Sequence, residues 1–420
     1  MAKYEVWLLD DEGNKIIQID DFHYLSYSRL VSGMGICQIG YPFEEIQNKL
    51  TEYWKLDRRI EVWRAPLDDM PLRRDATFLL RSPRIYTRES DGYVYLEYYG
   101  RSPIDLLNRR VIPQYAGSTY TEKTDEIDDM MCALVRENCL FDTVTDETGT
   151  VDNDRAFPES EFLVQADRSI GPSVTVTLAD KKLMDALTEL RDLSIQKNAE
   201  DSANRRIYFD MIVSDLKNYV IYILDHDFEI IRTEDGEPLL DETSISTLAP
   251  FGFEFVTIAD RFGSDIRELF EFSEENGNFV GGSYQLSHMD EINAVYVKGQ
   301  GEGSSRQVET VVDAARIAVS RWNRCETLVE ASSSTTTASL QSDGTKTLNE
   351  GKPVDELYGT FVSIEGDENV PRCLYGLDWD LGDLVRVQYA GKYFDAEIMT
   401  IHVSIDESGN EKIQGRNKIE

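Results

Sequence analysis

Alternating apolar and polar residues near both ends of the chain constrain its fold more than any other feature. Near the N-terminus, "RRIEVWR" and "ATFLLRSPRIYTRESDGYVYLEYY" alternate around a turn at Asp91-Gly92. Near the C-terminus, "GDLVRVQYAGKYFDAEIMTIHVSIDESGNEKIQ" has the same layout, with a charged turn that ends at Gly409. A period of two is typical of strands, and Asp-Gly is a strong hairpin signal. We predict an antiparallel meander at each end, related by an internal repeat or only by the chance similarity of two unrelated meanders.

Between these ends the sequence indicates a mixture of helices and strands. A hairpin is predicted over residues 4–19, and "RRIYFDMIV" (205–213) is predicted to pair with "YVIYILDHDFEII" (219–231). Residues 173–178 and 357–366 are predicted strands, and 263–282 an irregular segment. Spacings of three and four between apolar residues predict helices, one with a stripe of Ile127, Met130, Met131, Leu134 and Val135, and a second with Leu183, Leu187 and Leu190. Further helices are predicted at 44–54, 307–331 and 338–351, the last tolerating Gly344 and ending near Gly351.

The composition excludes several classes of protein. The 420 residues carry a formal net charge of −35, which repels nucleic-acid backbone and anionic lipid at long range. The five cysteines, Cys37, Cys132, Cys139, Cys325 and Cys373, are odd in number and contain no C-x-x-C pair, so neither a disulfide framework nor a zinc site is indicated. No stretch reaches the ~18 uninterrupted apolar residues of a membrane span, and the N-terminus lacks the apolar segment of a signal peptide.

The glycine-rich stretch "VKGQGEGSSRQV" (297–308) is the one segment that suggests a phosphate-binding loop. A Walker loop requires G-x-x-x-x-G-K-[ST], but here Glu302 lies within the glycine run and Arg306 follows two serines. The dinucleotide fingerprint G-x-G-x-x-G belongs to an early βαβ unit, whereas this G-x-G-x-G comes late in the chain. We therefore interpret Gly299, Gly301 and Gly303 as a bend at an interface, with Arg306 available to pair with an acid.

No group of residues has the spacing of a catalytic or metal site. The four histidines, His23, His226, His288 and His402, are not at metal-ligand spacing from one another or from a cysteine. Asp225, His226 and Asp227 are neighbours in a predicted strand, where adjacent side chains face opposite ways. In "LDWDLGD", Asp378, Asp380 and Asp383 miss the spacing of a calcium loop and are interpreted as a strand-entry turn with solvated carboxylates. Acid pairs such as Asp10-Asp11 and Asp128-Asp129 would suit a glycosidase only if two carboxylates faced one cleft.

The order of several short motifs resembles the hub proteins of siphovirus tail tips and baseplates. The motifs are "AVYVKGQGEGSSRQ", "RCETLVEAS", "ASLQSDGTKTLNEG" and "YGLDWDLGDLVRVQYAG". Earlier in the chain, "FLLRSPRIY", "YYGRSPIDLLNRRVI", "DDMMCALVRENC" and "FEFSEENGNF" follow the order of the same family. The glycine loop ending in Arg306 and the Leu381-Gly382-Asp383 sequence are the most specific matches. The resemblance covers most of the chain, and no motif in it is catalytic.

The resemblance implies a structural α+β, mostly β, protein. It implies two small tube-type β-barrels flanking inserted mixed α/β domains, which we divide as 1–113, 114–205, 206–330 and 331–420. It also implies a homotrimer whose partners are a distal tail or tube protein, a fibre or spike, and the tape-measure protein. DNA would pass through the lumen without specific binding, and the chain would not insert into a membrane.

By resemblance the protein is not an enzyme, with no catalytic, cofactor-binding or metal-binding residue, and any lytic domain would be a separate protein. Its acidity would keep DNA from adhering to a channel, or would serve only solubility. Two alternatives remain: a tail-associated carbohydrate- or peptidoglycan-degrading enzyme with a carboxylate pair, and a receptor-binding module that stacks sugars on Tyr93, Tyr95, Tyr98 and Tyr99.

Overall fold

A computed structural model describes most of the chain. The described residues are 2–10, 13–19, 22–43, 55–68, 70–89, 92–113, 122–144, 150–158, 161–178, 181–214, 252–332, 334, 336–364 and 372–419. The helix predicted at 44–54 and the strand predicted at 219–231, which contains Asp225, His226 and Asp227, lie outside them.

Strands outnumber helices in the described part of the chain. The strands are β1 (Lys3–Leu9), β2 (Lys15–Gln18), β3 (Tyr24–Leu30), β4 (Ile36–Pro42), β5 (Arg59–Ala65), β6 (Arg73–Thr87), β7 (Val94–Arg101), β8 (Val111–Ile112), β9 (Glu122–Glu126), β10 (Phe162–Val164), β11 (Ser173–Thr177), β12 (Lys181–Lys182), β13 (Ile207–Ser214), β14 (Gly252–Ala259), β15 (Glu271–Ser273), β16 (Phe279–Ser287), β17 (Ala294–Lys298), β18 (Val308–Val312), β19 (Glu326–Glu330), β20 (Val354–Phe361), β21 (Leu384–Tyr389), β22 (Lys392–Asp406) and β23 (Glu411–Ile419). The α-helices are α1 (Asp105–Asn108), α2 (Ile127–Cys139), α3 (Leu183–Glu200), α4 (Ala314–Ala318) and α5 (Thr337–Glu350). The prediction of an α+β, mostly β, protein is confirmed.

The predicted N-terminal hairpin forms from β1 and β2, which pair antiparallel. Its turn is closed by Asp10, whose carboxylate accepts hydrogen bonds from the Asn14 backbone at 2.7 Å and from the Asn14 side chain at 2.9 Å. Gly13 has a φ of 75°, a conformation open to glycine and costly for most other residues. β1 then extends a larger sheet by pairing with β5.

Two five-stranded units with the same connectivity make up most of the large sheet. We call β3 to β7 the first unit, in the sheet order β3-β4-β7-β6-β5. The second unit consists of β16 and β20 to β23, in the order β16-β20-β23-β22, with β21 paired to the side of β22 opposite β23. If the strands of each unit are numbered along the chain, both orders read 1-2-5-4-3. The similarity between the two ends of the sequence therefore has a counterpart in topology.

The two units also agree in the details of their ladders. The fourth strand has 15 residues in both units, and its pairing with the fifth strand shifts by one residue, between Leu80 and Ser82 and between Ile398 and Thr400. An extra residue at such a bulge bends the strand and increases its twist. Aligning the bulges places β6 on β22, so that Ser82 corresponds to Thr400.

Each unit continues the sheet of the other instead of closing into a barrel. β3 of the first unit pairs antiparallel with residues 400–406 of β22 in the second unit. The result is an open 13-stranded sheet that joins the two ends of the chain, and the described residues contain no closed barrel. One core lies against this sheet and includes Ile60 and Leu96 from the first unit and Val385 and Val403 from the second. The predicted two-barrel arrangement is thus not confirmed, because the strand that would close one unit pairs with the other unit.

A helical layer with its own core follows the first unit. The predicted stripes of α2 and α3 are buried against each other and against the β10-β14-β13 sheet, which confirms both helices. β13 is the predicted strand of 205–213, and its partner in the described part of the chain is β14. No described helix is long and apolar enough to cross a bilayer.

A small domain is inserted between the first and second strands of the second unit. It contains the sheet β18-β17-β19 and α5, which is confirmed at the predicted position. α5 begins with a capping box formed by Thr336 and Ser339. A Cβ at Gly344 would lie 2.5 Å from Val311 Cγ2, so glycine allows this helix to approach the sheet closely.

The helix predicted over 307–331 is wrong. Residues 308–312 and 326–330 form β18 and β19, which pair with β17 on its two sides. Of the predicted helix, only the segment Ala314–Ala318 is α-helical. Burial alternates along β18: Val308, Thr310 and Val312 are exposed, whereas Val311 packs against the core of the small domain. This period of two is that of a strand beside β17. The segment 263–282, predicted to be irregular, contains β15 and the start of β16. The division of the chain into four domains, at residues 113, 205 and 330, stays a prediction.

Candidate functional site

A partly buried polar network joins the first unit to the second. On β3, Tyr27 donates a hydrogen bond to Asp75 of β6, and Arg29 donates to the Tyr375 hydroxyl at 2.9 Å and to Asp380 at 2.7 Å. The Tyr375 hydroxyl in turn donates to Asp75 at 3.1 Å. Burial raises the pKa of both tyrosines, so their hydroxyls stay protonated and can donate. These contacts fix how the two units meet.

An ion pair between Arg64 and Glu411 strengthens the same joint. Arg64 on β5 donates to Glu411 on β23 through Nε at 2.7 Å and Nη2 at 2.8 Å, and to the Tyr375 carbonyl through Nη1 at 2.6 Å. The side chains are 2% and 12% exposed. Burial raises the pKa of Glu411 to about 8, whereas two hydrogen bonds from a permanently charged guanidinium favour the ionised form. The bidentate geometry is that of a carboxylate, so we describe the contact as an ion pair.

The sequence did not indicate either set of contacts. Arg64 and Glu411 are 347 positions apart, and Arg29 and Asp380 are 351 apart. The only sequence feature that points to these contacts is a charged residue inside a strand. The chain has 43 basic and 78 acidic residues, so this feature does not identify which of them pair.

The glycine loop is a closed hairpin bend whose arginine is already bonded. Gly299 N–H donates to the Gln307 carbonyl at 2.9 Å, and Gly301 and Gly303 have φ values of 109° and 57°. Arg306 donates to the Gly299 carbonyl at 3.0 Å and pairs with Glu330 on β19, so the predicted pairing with an acid is confirmed. These interactions tie the bend to the small sheet.

The aspartates of "LDWDLGD" point to three different places. Asp378 accepts from the Leu374 N–H at 2.8 Å and pairs with Arg372, while Asp380 pairs with Arg29. Asp383 accepts from the backbone of Asp380 at 2.7 Å and from that of Ser264 at 2.6 Å. The strand-entry turn is confirmed, since β21 starts at the next residue. The expectation of solvated carboxylates is wrong for Asp378, whose side chain is 8% exposed, and for Asp383, which is buried, and holds only for Asp380, whose side chain is 46% exposed.

The acid pair Asp128-Asp129 and the histidines also have separate structural partners. Asp128 accepts from the Ile170 N–H at 2.6 Å, and Asp129 accepts from the N–H groups of Arg168 and Ser169, so this pair holds a loop at the start of α2. Among the described residues, Asp125, Glu126 and Asp129 have carboxylates within 4.8 Å of one another, two of them on residues not fully buried. The three described histidines contact Glu407 (His23), Glu291 (His288) and Ser26 (His402), so the structure does not bring them together.

The tyrosines and cysteines are mainly part of the packing. Tyr95 and Tyr98 are buried, Tyr99 donates to Glu97, and Tyr93 is exposed. Four of the five free thiols are buried and have raised pKa values for that reason, and the fifth, Cys325, is partly exposed. Core packing accounts for two of the four tyrosines that could have stacked on sugars.

A comparison with family models decides the identity of the chain. The model of the Siphovirus ReqiPepy6 Gp37-like protein matches residues 5–415. The chain belongs to this family. None of the curated proteins matches the chain.

The fold of this Gp37-like chain is that of a phage tail protein. The 43 kDa tail protein of prophage MuSo2 from Shewanella oneidensis superposes with a TM-score of 0.53 at 12% identity, covering 100% of both chains. The tail protein from Neisseria meningitidis MC58 has a TM-score of 0.49 at 13% identity, covering 99% of this chain and 96% of that one. The family match confirms the siphovirus resemblance found in the sequence, and the chain shares its fold with the MuSo2 tail protein.

Proposed function

We propose that this Gp37-like chain is a structural hub subunit of the tail tip, three copies of which form a ring around a central channel. The observation that supports this most is the repeated strand order β3-β4-β7-β6-β5 and β16-β20-β23-β22-β21. Three chains with two such units each would present six similar units. A threefold ring could then dock on a sixfold tube, since a closed oligomer repeats the same surface around its axis.

The proposal assigns the protein a role that depends on contacts and not on catalysis. One face of the ring would bind the distal tail or tube protein, and the other a fibre or spike that takes part in host attachment. The tape-measure protein and then DNA would pass through the lumen during genome ejection. The joint of Arg29, Arg64, Tyr375 and Glu411 supports this role, because a hub that bears load between two partners requires units that keep a fixed relative position. We keep the division at residues 113, 205 and 330 as part of the proposal.

We further propose that the acidity of the chain keeps DNA from adhering to the channel. At physiological salt, charges act over about 8 Å, so acidic walls repel a phosphate backbone that slides close to them. An assembled ring should therefore fail to retain labelled duplex DNA at that ionic strength. Retention at micromolar protein would contradict this part of the proposal.

The mass of the native particle tests the hub proposal. The full chain at micromolar concentration, alone and with its neighbouring tail proteins, is expected to give a species of three chains in mass photometry and analytical ultracentrifugation. A monomer under both conditions would contradict the proposal. Turnover of purified cell wall that is lost on replacing one carboxylate would support the enzyme alternative instead.

A further inference from the structure

The contact between the two units inside one chain uses a defined pair of strand edges. The first strand of the first unit, β3, pairs with the second half of the fourth strand of the second unit, β22. Tyr27 lies opposite Val403, and Ser28 lies opposite His402. The first half of β22 pairs on the same side with β21, up to the pair of Glu397 with Leu384. The contact with β3 therefore begins at Thr400, just past the bulge.

The corresponding edges, β16 in the second unit and the second half of β6 in the first, have no strand partner among the described residues. Among the strands that the structure describes, β16 is the last at one end of the sheet and pairs only with β20. β6 pairs with β5 up to Leu79 and with β7 along its other side up to Thr87. Within the described part of the chain, residues 82–87 therefore present one unpaired backbone edge, and β16 presents another. Unpaired edges of this kind are templates for another strand.

The side chains of the free β6 segment have the pattern of a strand that is covered in the equivalent place. Aligning the bulges places Pro83, Ile85 and Thr87 on Ile401, Val403 and Ile405. Val403 pairs with Tyr27 of β3 and is 0% exposed in the core against the joined sheet, whereas Ile85 is 58% exposed. An apolar residue at a position that is core in the sister unit indicates that β6 also receives a strand.

We propose that β16 of one chain pairs antiparallel with residues 82–87 of β6 in a second copy of this chain. The register follows from the contact inside the chain. Cys37 of β4 and Leu357 of β20 hold equivalent positions, because each pairs with the fifth-strand residue that lies opposite the last fourth-strand residue before the bulge. Tyr27 pairs with Cys37 and Tyr284 with Leu357, so Tyr284 takes the place of Tyr27 and would lie opposite Ile85 of the other copy. Pro83 has no backbone N–H, so the other residues of this edge must supply the hydrogen-bond donors. The missing donor also makes the edge a poor template for unrelated strands.

This contact is head-to-tail, and it alternates with the contact inside the chain. In both contacts a unit gives its first strand to the fourth strand of the next unit, so the two kinds of unit would follow one another around an assembly. A head-to-tail contact closes into a ring or runs on as a filament. Closure at three chains rests on the proposed function, whereas the pairing of the edges does not.

Cysteine cross-linking tests the register. Ile85→Cys and Tyr284→Cys are made in separate full-length chains with Cys325→Ser, mixed and oxidised. Directly opposite residues of antiparallel strands have Cβ atoms about 4.5–5.5 Å apart, near the range of a disulfide. The mixture is expected to give a two-chain product, and the chain carrying both cysteines a product of up to three chains on a non-reducing gel. Arg84→Cys is the matched control, because its side chain faces the other side of the sheet and should not react with Tyr284→Cys.

Each result separates the edge pairing from the ring. Native trimers with no more cross-linking for Ile85→Cys than for Arg84→Cys would overturn the edge pairing and leave the ring standing. Monomers at every concentration would overturn both. Independently, Ile85→Lys should weaken self-association at least about tenfold, whereas Val319→Lys, an exposed apolar position in the small domain, should not. Equal association of the two variants would also overturn the pairing.

Discussion

Replacing Arg64 with leucine tests whether the two units are held in a fixed joint. The substitution removes both hydrogen bonds to Glu411 and leaves that carboxyl buried without its cation. Burial raises the pKa of Glu411 to about 8, so without Arg64 the group becomes mostly neutral at pH 7. Protonating a carboxyl with an ordinary pKa of about 4.3 at pH 7 costs about 3.7 kcal/mol, at 1.36 kcal/mol per unit. This agrees with the about 3–5 kcal/mol lost when one partner of a buried pair is removed.

The same reasoning predicts the pH dependence of the loss. The folded variant binds one more proton than the unfolded chain between about pH 4.3 and pH 8, so its stability rises as the pH falls through that window. At pH 5 the cost of protonation falls to about 1 kcal/mol, and the loss of stability in Arg64→Leu should shrink accordingly. Urea unfolding at pH 7 and pH 5, followed by tryptophan fluorescence, measures this loss of stability. The fluorescence reports on the joint because Trp63 lies in the joined sheet and Trp379 lies in the core against it.

Two further variants serve as controls. Arg205 donates to Asp260 from Nε, at 2.8 Å to Oδ1, and from Nη2 to Oδ2, but the two side chains are 47% and 57% exposed. Arg205→Leu should therefore cost only about 0.2–1 kcal/mol. The double variant Arg64→Leu with Glu411→Leu should recover much of the loss, because no buried carboxyl remains. A loss for Arg64→Leu no greater than for Arg205→Leu, or equal at both pH values, would refute the reasoning.

The remaining predictions concern the loop, the contact between the units and the small domain. Gly301→Val should impair folding of the small domain or ring assembly, since φ is 109° and a Cβ would lie 2.8 Å from the Ser305 carbonyl oxygen; circular dichroism and particle mass measure this. An unchanged fold and mass would contradict it. Burial lowers the pKa of His402 on β22, so stability should fall as the pH drops below about 6.5, and His402→Gln should reduce that slope in thermal scans at pH 7.5 and pH 5. Equal slopes would contradict it. Gly344→Leu should lower the melting temperature much more than Ser342→Leu on the same helix, because only Gly344 is pressed against Val311.

The sequence predicted local elements well because their signals are local. The stripes around Met130 and Leu187 identified α2 and α3, and the charged turn at Gly409 marked the hairpin between β22 and β23. The error over 307–331 arose because Val308 and Val311 lie three positions apart and are followed by the alanines of α4, which together have the spacing of a helix. A strand there depends on β17, and a partner strand is not visible in a local pattern.

The arrangement of these elements could not be predicted in the same way. Which strand lies beside β22 is decided by backbone pairing between residues that are 370 to 382 positions apart, from Leu30 with Thr400 to Tyr24 with Asp406. A meander has the same sequence pattern whether it closes on itself or extends a neighbouring sheet. The joint of Arg64 with Glu411 has the same limitation, because its residues share no local spacing. The resemblance to tail hubs came from the order of short motifs, and it carried information that periodicity did not.

Imaging the assembled particle along its axis tests the central claim most directly. Electron microscopy of the full chain, bound to its neighbouring tail proteins where they are required, should show a ring of three chains with six similar lobes around an open channel. A particle with twofold symmetry, an open filament, or a ring whose chains each contribute a single lobe would contradict the account.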